Sequence, residues 1–224
     1  YIVTDYVDDD YLEKIERLTQ MYSTTVTIFV FDNESFRKLP STKSWTYAMY
    51  YRYVAFEYLS ATLNTVLYLD ADVICKGSLR EFAELRFKDE YAAVINDVEE
   101  VRLQSGARLG IEELNKGYFN SGVVFANLNV WREKKLLVKA FSILKENQKG
   151  LLYFAQDVLN ILFVGHVILL RREFNCIYGI DQELKNEHDD IYQSYITDDT
   201  VLIHYVGVTK PWHIWAKYPV SNYF

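Results

Sequence analysis

The sequence predicts an α/β fold with a mainly parallel central sheet, organised as a single domain over residues 1–224. Three observations carry this. Runs rich in β-branched and aromatic residues alternate along the chain with segments whose apolar residues recur at helical spacing. Those runs are apolar nearly throughout, as buried strands are. Half of the 224 residues are hydrophobic and only three are proline, so core material is ample and no linker is marked.

The elements follow in order. Asp8 to Asp10 can cap a helix over Tyr11–Met21, in which Leu12, Ile15 and Leu18 share one face. Thr25–Phe31 reads as a strand and Tyr47–Leu59 as an aromatic-rich helix, in which Arg52 needs a partner if buried. Thr65–Asp70 and Ala92–Asp97 are buried-strand runs. Gly122–Leu128 is another, leading into one long amphipathic helix, Val130–Glu146. A helix over Gln156–Val164 and a strand over Thr200–Tyr205 complete the pattern. Ligands of such folds bind at the carboxyl ends of the strands.

Composition excludes several classes. A net charge of −7 argues against nucleic acid as a general partner, because phosphate backbones need a basic face. Cys75 and Cys176 sit in apolar runs and read as buried thiols of a reducing compartment. The longest apolar stretch, Ile161–Leu170, is too short to cross a bilayer and is interrupted by Gly165 and His166. Trp131 and Trp215 read as packing residues, His166 and His188 as structural or surface positions, and His188 to Asp190 as a solvated loop.

Chemistry concentrates in two places. The run TVLYL leads directly into Asp70-Ala71-Asp72. Residues two apart on an extended backbone share a face, so the two carboxylates converge and repel unless a cation joins them. Such oxygen ligands suit Mn²⁺ or Mg²⁺. A solvated strand end, with Asp72 opening a turn toward Gly77, explains the pair as simply. Asp70, Asp72 and Val73 also match the nucleophile motif of haloacid dehalogenase-type phosphatases. The acidic clusters available to complete such a site, Gly179-Ile180-Asp181 and His188-Asp189-Asp190, do not resemble it. Near the other end, His204 leaves a strand, Gly207 lets a phosphate approach the backbone, Lys210 offers a point charge, Pro211 fixes the turn and Trp212 can close a pocket.

Taken together, YYR (Tyr50–Arg52), YLDADVICKGSL (Tyr68–Leu79), GYFNSGVVFANLNVW (Gly117–Trp131), QDVLN (Gln156–Asn160) and HYVGVTKPWH (His204–His213) resemble glycosyltransferase family 8. Within it the chain looks most similar to lipopolysaccharide core glucosyl- and galactosyltransferases of the cytoplasmic face of the bacterial inner membrane. The resemblance implies a GT-A fold, a UDP-glucose or UDP-galactose donor, a core-oligosaccharide acceptor, Mn²⁺ or Mg²⁺, and retention of the anomeric configuration. It implies a cytoplasmic enzyme with peripheral membrane contact. By position, Asp70, Asp72 and His204 match metal ligands, and Gly207 and Lys210 match diphosphate contacts. Arg52, Asn120 and Ser121 match residues near the donor sugar, with Asp70 and Ala71 also on the substrate side. Gln156 matches the residue under the anomeric carbon, flanked by positions 155 and 157 as further catalytic positions.

The chain departs from the family pattern at Ala155-Gln156-Asp157, where the family reads Asp-Gln-Asp. The missing carboxylate is the one expected to hold donor hydroxyls, so Ala155 marks either an inactivated form or a non-catalytic sugar-nucleotide binder. Tyr1–Asp5 reads as the inside of a strand, and the family's first strand–helix unit and C-terminal extension are expected to lie outside the chain.

Overall fold

The computed structural model describes residues 1–43, 45–146, 150–183 and 191–224. The expected loop at His188 to Asp190 lies outside the described residues. In chain order the elements are β1 (Ile2–Thr4), α1 (Asp9–Tyr22), β2 (Ile28–Val30), α2 (Tyr51–Ser60), β3 (Thr65–Leu69), β4 (Val73–Cys75), α3 (Arg80–Glu84), β5 (Ala92–Asn96) and α4 (Glu99–Leu109). There follow α5 (Leu114–Gly117), β6 (Phe119–Asn127), α6 (Leu128–Glu133), α7 (Leu136–Glu146), α8 (Ala155–Phe163), β7 (Val167–Leu169), β8 (Cys176–Gly179), α9 (Ile180–Glu183) and β9 (Leu202–Val206).

The α/β class holds, but the sheets are mixed rather than mainly parallel. The four-stranded sheet runs β3-β6-β5-β7, a three-stranded one runs β4-β9-β8, and β1 pairs with β2. The pairs β1–β2, β5–β7 and β8–β9 are parallel, whereas β3–β6, β5–β6 and β4–β9 are antiparallel. The reversal comes from β6, whose nine residues are all buried and which threads between β3 and β5 in the opposite direction. A wholly apolar run reveals a strand covered on both faces but carries no information about its direction.

Two antiparallel registers build the functional end of the molecule. Leu69 pairs with Val123, and Asp70 N–H donates to the Gly122 carbonyl at 2.8 Å, so the end of β3 meets the middle of β6. Val73 pairs with His204, which sets the middle of β9 beside the turn that carries Asp72. Positions 70, 122 and 204 thereby reach one spot.

Helices supply the cover. On one side of the four-stranded sheet, Tyr50, Tyr53, Phe56 and Leu59 of the α2 region pack with Trp131, Leu136, Ala140, Leu144, Val158, Leu159 and Phe163. Helix α1 is capped by Asp8, which accepts from Tyr11 N–H, and none of its residues is buried. The expected single helix over Val130–Glu146 is broken into α6 and α7 at Lys135, whose φ of +52° is left-handed. The break lets Trp131 and Leu136 both turn inward to the same core. Cys176 is buried as expected, but Cys75 is exposed because β4 is an edge strand. Trp131 is a core residue, whereas Trp215 is 68% exposed and packs little. His166 stacks on Tyr91. Among the described residues no helix is long and apolar enough to cross a membrane.

Candidate active site

The cluster begins with what each carboxylate already binds. Tyr68 donates its hydroxyl to Asp70 Oδ1 at 2.6 Å, and Arg52 Nη2 donates to the same oxygen at 3.0 Å. That leaves Asp70 Oδ2 turned toward His204 Nε2, 4.0 Å away. Lys210 Nζ donates to Asp72 Oδ2 at 2.6 Å, and Asp72 Oδ1 lies 3.2 Å from His204 Nε2. Burial pushes the Asp72 carboxyl up, but the His204 and Lys210 contacts outweigh it and hold the group well below the usual carboxylate range.

One ligand atom each from Asp70, Asp72 and His204 lies within 4.8 Å of the others. Two carboxylates and an imidazole form a donor set suited to a divalent cation. The backbone makes room for the imidazole: a Cβ on Gly122 would overlap the His204 ring, 2.8 Å from Nδ1, and stand 2.9 Å from Asp70 Oδ2. The residues present therefore fit Mn²⁺ or Mg²⁺.

Arg52 is buried, yet every part of its guanidinium is engaged. Nε donates to the Met49 carbonyl at 2.9 Å, Nη1 to the Ser121 carbonyl and hydroxyl, and Nη2 to Asp70. Ser121 N–H donates to Gln156 Oε1 at 3.0 Å, while Gln156 Nε2 donates to Asp97 Oδ2 at 2.7 Å and to the Tyr118 hydroxyl at 3.2 Å. A continuous hydrogen-bonded path thus joins the metal-ligand cluster to Gln156. Burial pushes the Asp97 carboxyl up, against the hydrogen bonds from Val98 N–H, Gln156 and Asn120.

Asn120 lies on the same path. Its Oδ1 accepts from Gly122 N–H and from Asn175 Nδ2, both at 3.0 Å. Gly207 has a φ of +90°, and the two amides after it, Val208 and Thr209, donate to Asp181 Oδ2 at 3.0 and 3.5 Å. Such a pair of N–H groups is an anion-binding nest, and here it holds a carboxylate. Ala71 is exposed between Asp70 and Asp72.

Positions 155 and 157 are both buried. Asp157 is fully buried and accepts from Arg108 at 2.7 and 2.8 Å, from the Tyr118 hydroxyl at 2.5 Å, and from Leu152 and Tyr153 N–H at 2.8 Å each. Ala155 is packed in the core, and its carbonyl accepts from the Tyr53 hydroxyl. Phe154, just before it, has a φ of +33°, a strained conformation for a bulky residue.

Tyr68, Asp97, Arg108, Gly122, Asn175 and Asp181 belong to this network without having been marked for it by the sequence. Asp97 had a signal, since it ends a buried strand as Asp70 does. Arg108 and Asn175 had none: their roles depend on where α4 and the turn before β8 come to rest. A cavity of about 930 Å³ opens at the opposite end of the four-stranded sheet, between Thr65, Phe82, Asn127 and His166. None of the metal-ligand cluster lines it, so ligand geometry rather than hollow size locates the chemistry.

Known proteins resemble this chain in sequence and fold. The sequence profile of glycosyl transferase family 8 matches residues 1–216. A lipopolysaccharide 1,2-glucosyltransferase of Escherichia coli is 44% identical over all of this chain and 67% of its own length. A lipopolysaccharide 1,3-galactosyltransferase of Salmonella typhimurium is 37% identical over all of this chain and 66% of its own length. The chain thus spans about two thirds of these relatives. Among solved structures, the galactosyltransferase LgtC in complex with donor and acceptor sugar analogs superposes with a TM-score of 0.79 at 23% identity, covering 96% of this chain and 79% of that one. That likeness gives the chain the GT-A fold. With its profile match and its lipopolysaccharide-transferase relatives, the chain belongs to glycosyl transferase family 8.

Proposed function

We propose that this chain carries the catalytic site of a retaining hexosyltransferase that moves glucose or galactose from a UDP-sugar to a sugar hydroxyl of the lipopolysaccharide core. The observation that carries the proposal is the meeting of Asp70, Asp72 and His204, with Arg52 and Lys210 already paired to the two carboxylates. The acceptor class, and a cytoplasmic location at the inner membrane, rest on the relatives named for lipopolysaccharide synthesis.

A bound Mn²⁺ or Mg²⁺ would supply Lewis acidity to the departing diphosphate. Lys210, which holds Asp72 Oδ2, would add positive charge on the same side. The Val208 and Thr209 amides would take a phosphate oxygen in place of Asp181. Arg52 fixes Asp70 and Ser121, and through Ser121 the amide of Gln156, at the donor-sugar side. Gln156 is neutral, and both ends of its amide are held by protein groups, which makes it a positioning amide rather than a nucleophile. Asp157 is saturated by five hydrogen bonds. Retention then proceeds by attack on the face the leaving group departs, the phosphate accepting the proton of the acceptor hydroxyl.

The test is release of UDP and formation of the extended oligosaccharide from UDP-glucose or UDP-galactose, with lipopolysaccharide core as acceptor. Product formed only with divalent metal supports the proposal; donor and metal bound without transfer, in both this chain and Ala155→Asp, would make it a sugar-nucleotide binder instead. Transfer recovered at least tenfold by Ala155→Asp would mark that carboxylate as the missing donor contact.

A further inference from the structure

His204 presents two ring nitrogens with different neighbours. Nε2 faces Asp70 and Asp72, and Nδ1 lies 3.2 Å from Asn175 Oδ1. In the neutral ring only one nitrogen carries hydrogen, and only the other can bind a metal. Which one is available follows from a donor that cannot change its role.

That donor is the backbone N–H of Gly122. It points at the Asn120 amide at 3.0 Å, so the atom it meets must be the oxygen. The other end of the same amide, Nδ2, faces Asp97 Oδ2 at 3.5 Å, which also requires a donor there. With Asn120 Oδ1 fixed as an acceptor, the atom of Asn175 that meets it at 3.0 Å must be Nδ2. Asn175 then shows its oxygen to His204, and His204 Nδ1 must carry the hydrogen. Reversing any one amide sets two donors or two acceptors against each other in a place where Asn175 is 2% and His204 is 4% exposed.

We infer that Asn175 is a positioning residue, reading a fixed backbone polarity at Gly122 and holding His204 as its Nδ1–H tautomer, with the Nε2 lone pair directed at the cation position between Asp70 and Asp72. The inference rests on the metal-site reading above and adds to it what orients the imidazole. Outer partners of this kind set ring orientation and ligand basicity, and their loss commonly weakens metal affinity by roughly 10–100-fold.

Two measurements test it. Nitrogen-15 NMR of protein saturated with diamagnetic Mg²⁺, with His204→Gln to assign the signal, reads which ring nitrogen carries hydrogen. The Nδ1–H form is expected, and an Nε2–H form would overturn the inference even if Mn²⁺ binds. Mn²⁺ titration followed by electron paramagnetic resonance then compares wild type, Asn175→Leu and Asn175→Asp. Asn175→Leu removes the acceptor and should raise the Mn²⁺ Kd about 10–100-fold. Asn175→Asp keeps an acceptor toward Nδ1–H but sets a carboxylate oxygen against Asn120 Oδ1, so it should lower the melting temperature while raising the Kd less than Asn175→Leu does. A purely structural Asn175 would lower the melting temperature in both variants but leave the Kd of the folded fraction unchanged, which contradicts the inference. Wild-type protein that shows the expected tautomer but binds no Mn²⁺ would sink the metal reading and, with it, the positioning role.

Discussion

Asp70 and Asp72 divide their oxygens the same way: one to a protein cation, the other toward His204. The division explains why Gly122 cannot carry a side chain, since its missing Cβ is the space beside Asp70 and His204. Gly122→Ala should therefore weaken Mn²⁺-dependent UDP binding more than about tenfold while leaving the fold's circular dichroism intact, a comparison calorimetry can make. The Asp72 carboxyl, held below its ordinary value of 3.8, has a defined sign. Its contacts with His204 and Lys210 contribute stability above pH 3.8, and that contribution is lost as pH falls through the folded value. In metal-free protein, the melting-temperature gap between wild type and Asp72→Asn should be widest at neutral pH and narrow progressively as pH falls below 3.8; a constant gap would contradict the pairing. At this scale the sequence was informative where a short spacing sets geometry, as in Asp70-Ala71-Asp72. It was silent where a partner comes from a distant turn, as with Asn175.

The elements most in need of explanation are α8 and the turn before it. Gln156 and Asp157 are neighbours on α8 with opposite fates: one faces the site, the other is buried against Arg108 of α4. Asp157 also accepts from Leu152 and Tyr153 N–H, so it ties down the turn that contains the strained Phe154. Arg108→Gln strands a fully buried carboxylate and should cost roughly 3–5 kcal/mol in a urea melt. The double variant Arg108→Gln, Asp157→Asn removes both charges and should recover more than half of that loss. If the Asp157 carboxylate takes part in bond making, the double variant will be stable yet inactive; if it only holds the turn, activity returns with stability. Helical period located α8 within a residue of its observed limits. The same period extended Val130–Glu146 across a real break, because Lys134 and Lys135 do not interrupt an apolar stripe and only tertiary packing turns the chain there.

For the whole molecule, the sequence shows an alternation of strands and helices but not the strand order or direction. Both depend on pairings such as Leu69 with Val123 and Val73 with His204, between residues far apart in sequence. Those two registers are what convert three separated motifs into one site, so the function depends on the fold through them. Under the proposed function, this site binds a metal and a nucleotide diphosphate together. Calorimetric titration with UDP, with and without Mn²⁺, on wild type and Asp70→Ala, tests it most directly. Metal-dependent binding in wild type that disappears in folded Asp70→Ala is the result predicted; UDP binding that ignores both Mn²⁺ and Asp70, or no binding by folded wild type, would contradict it.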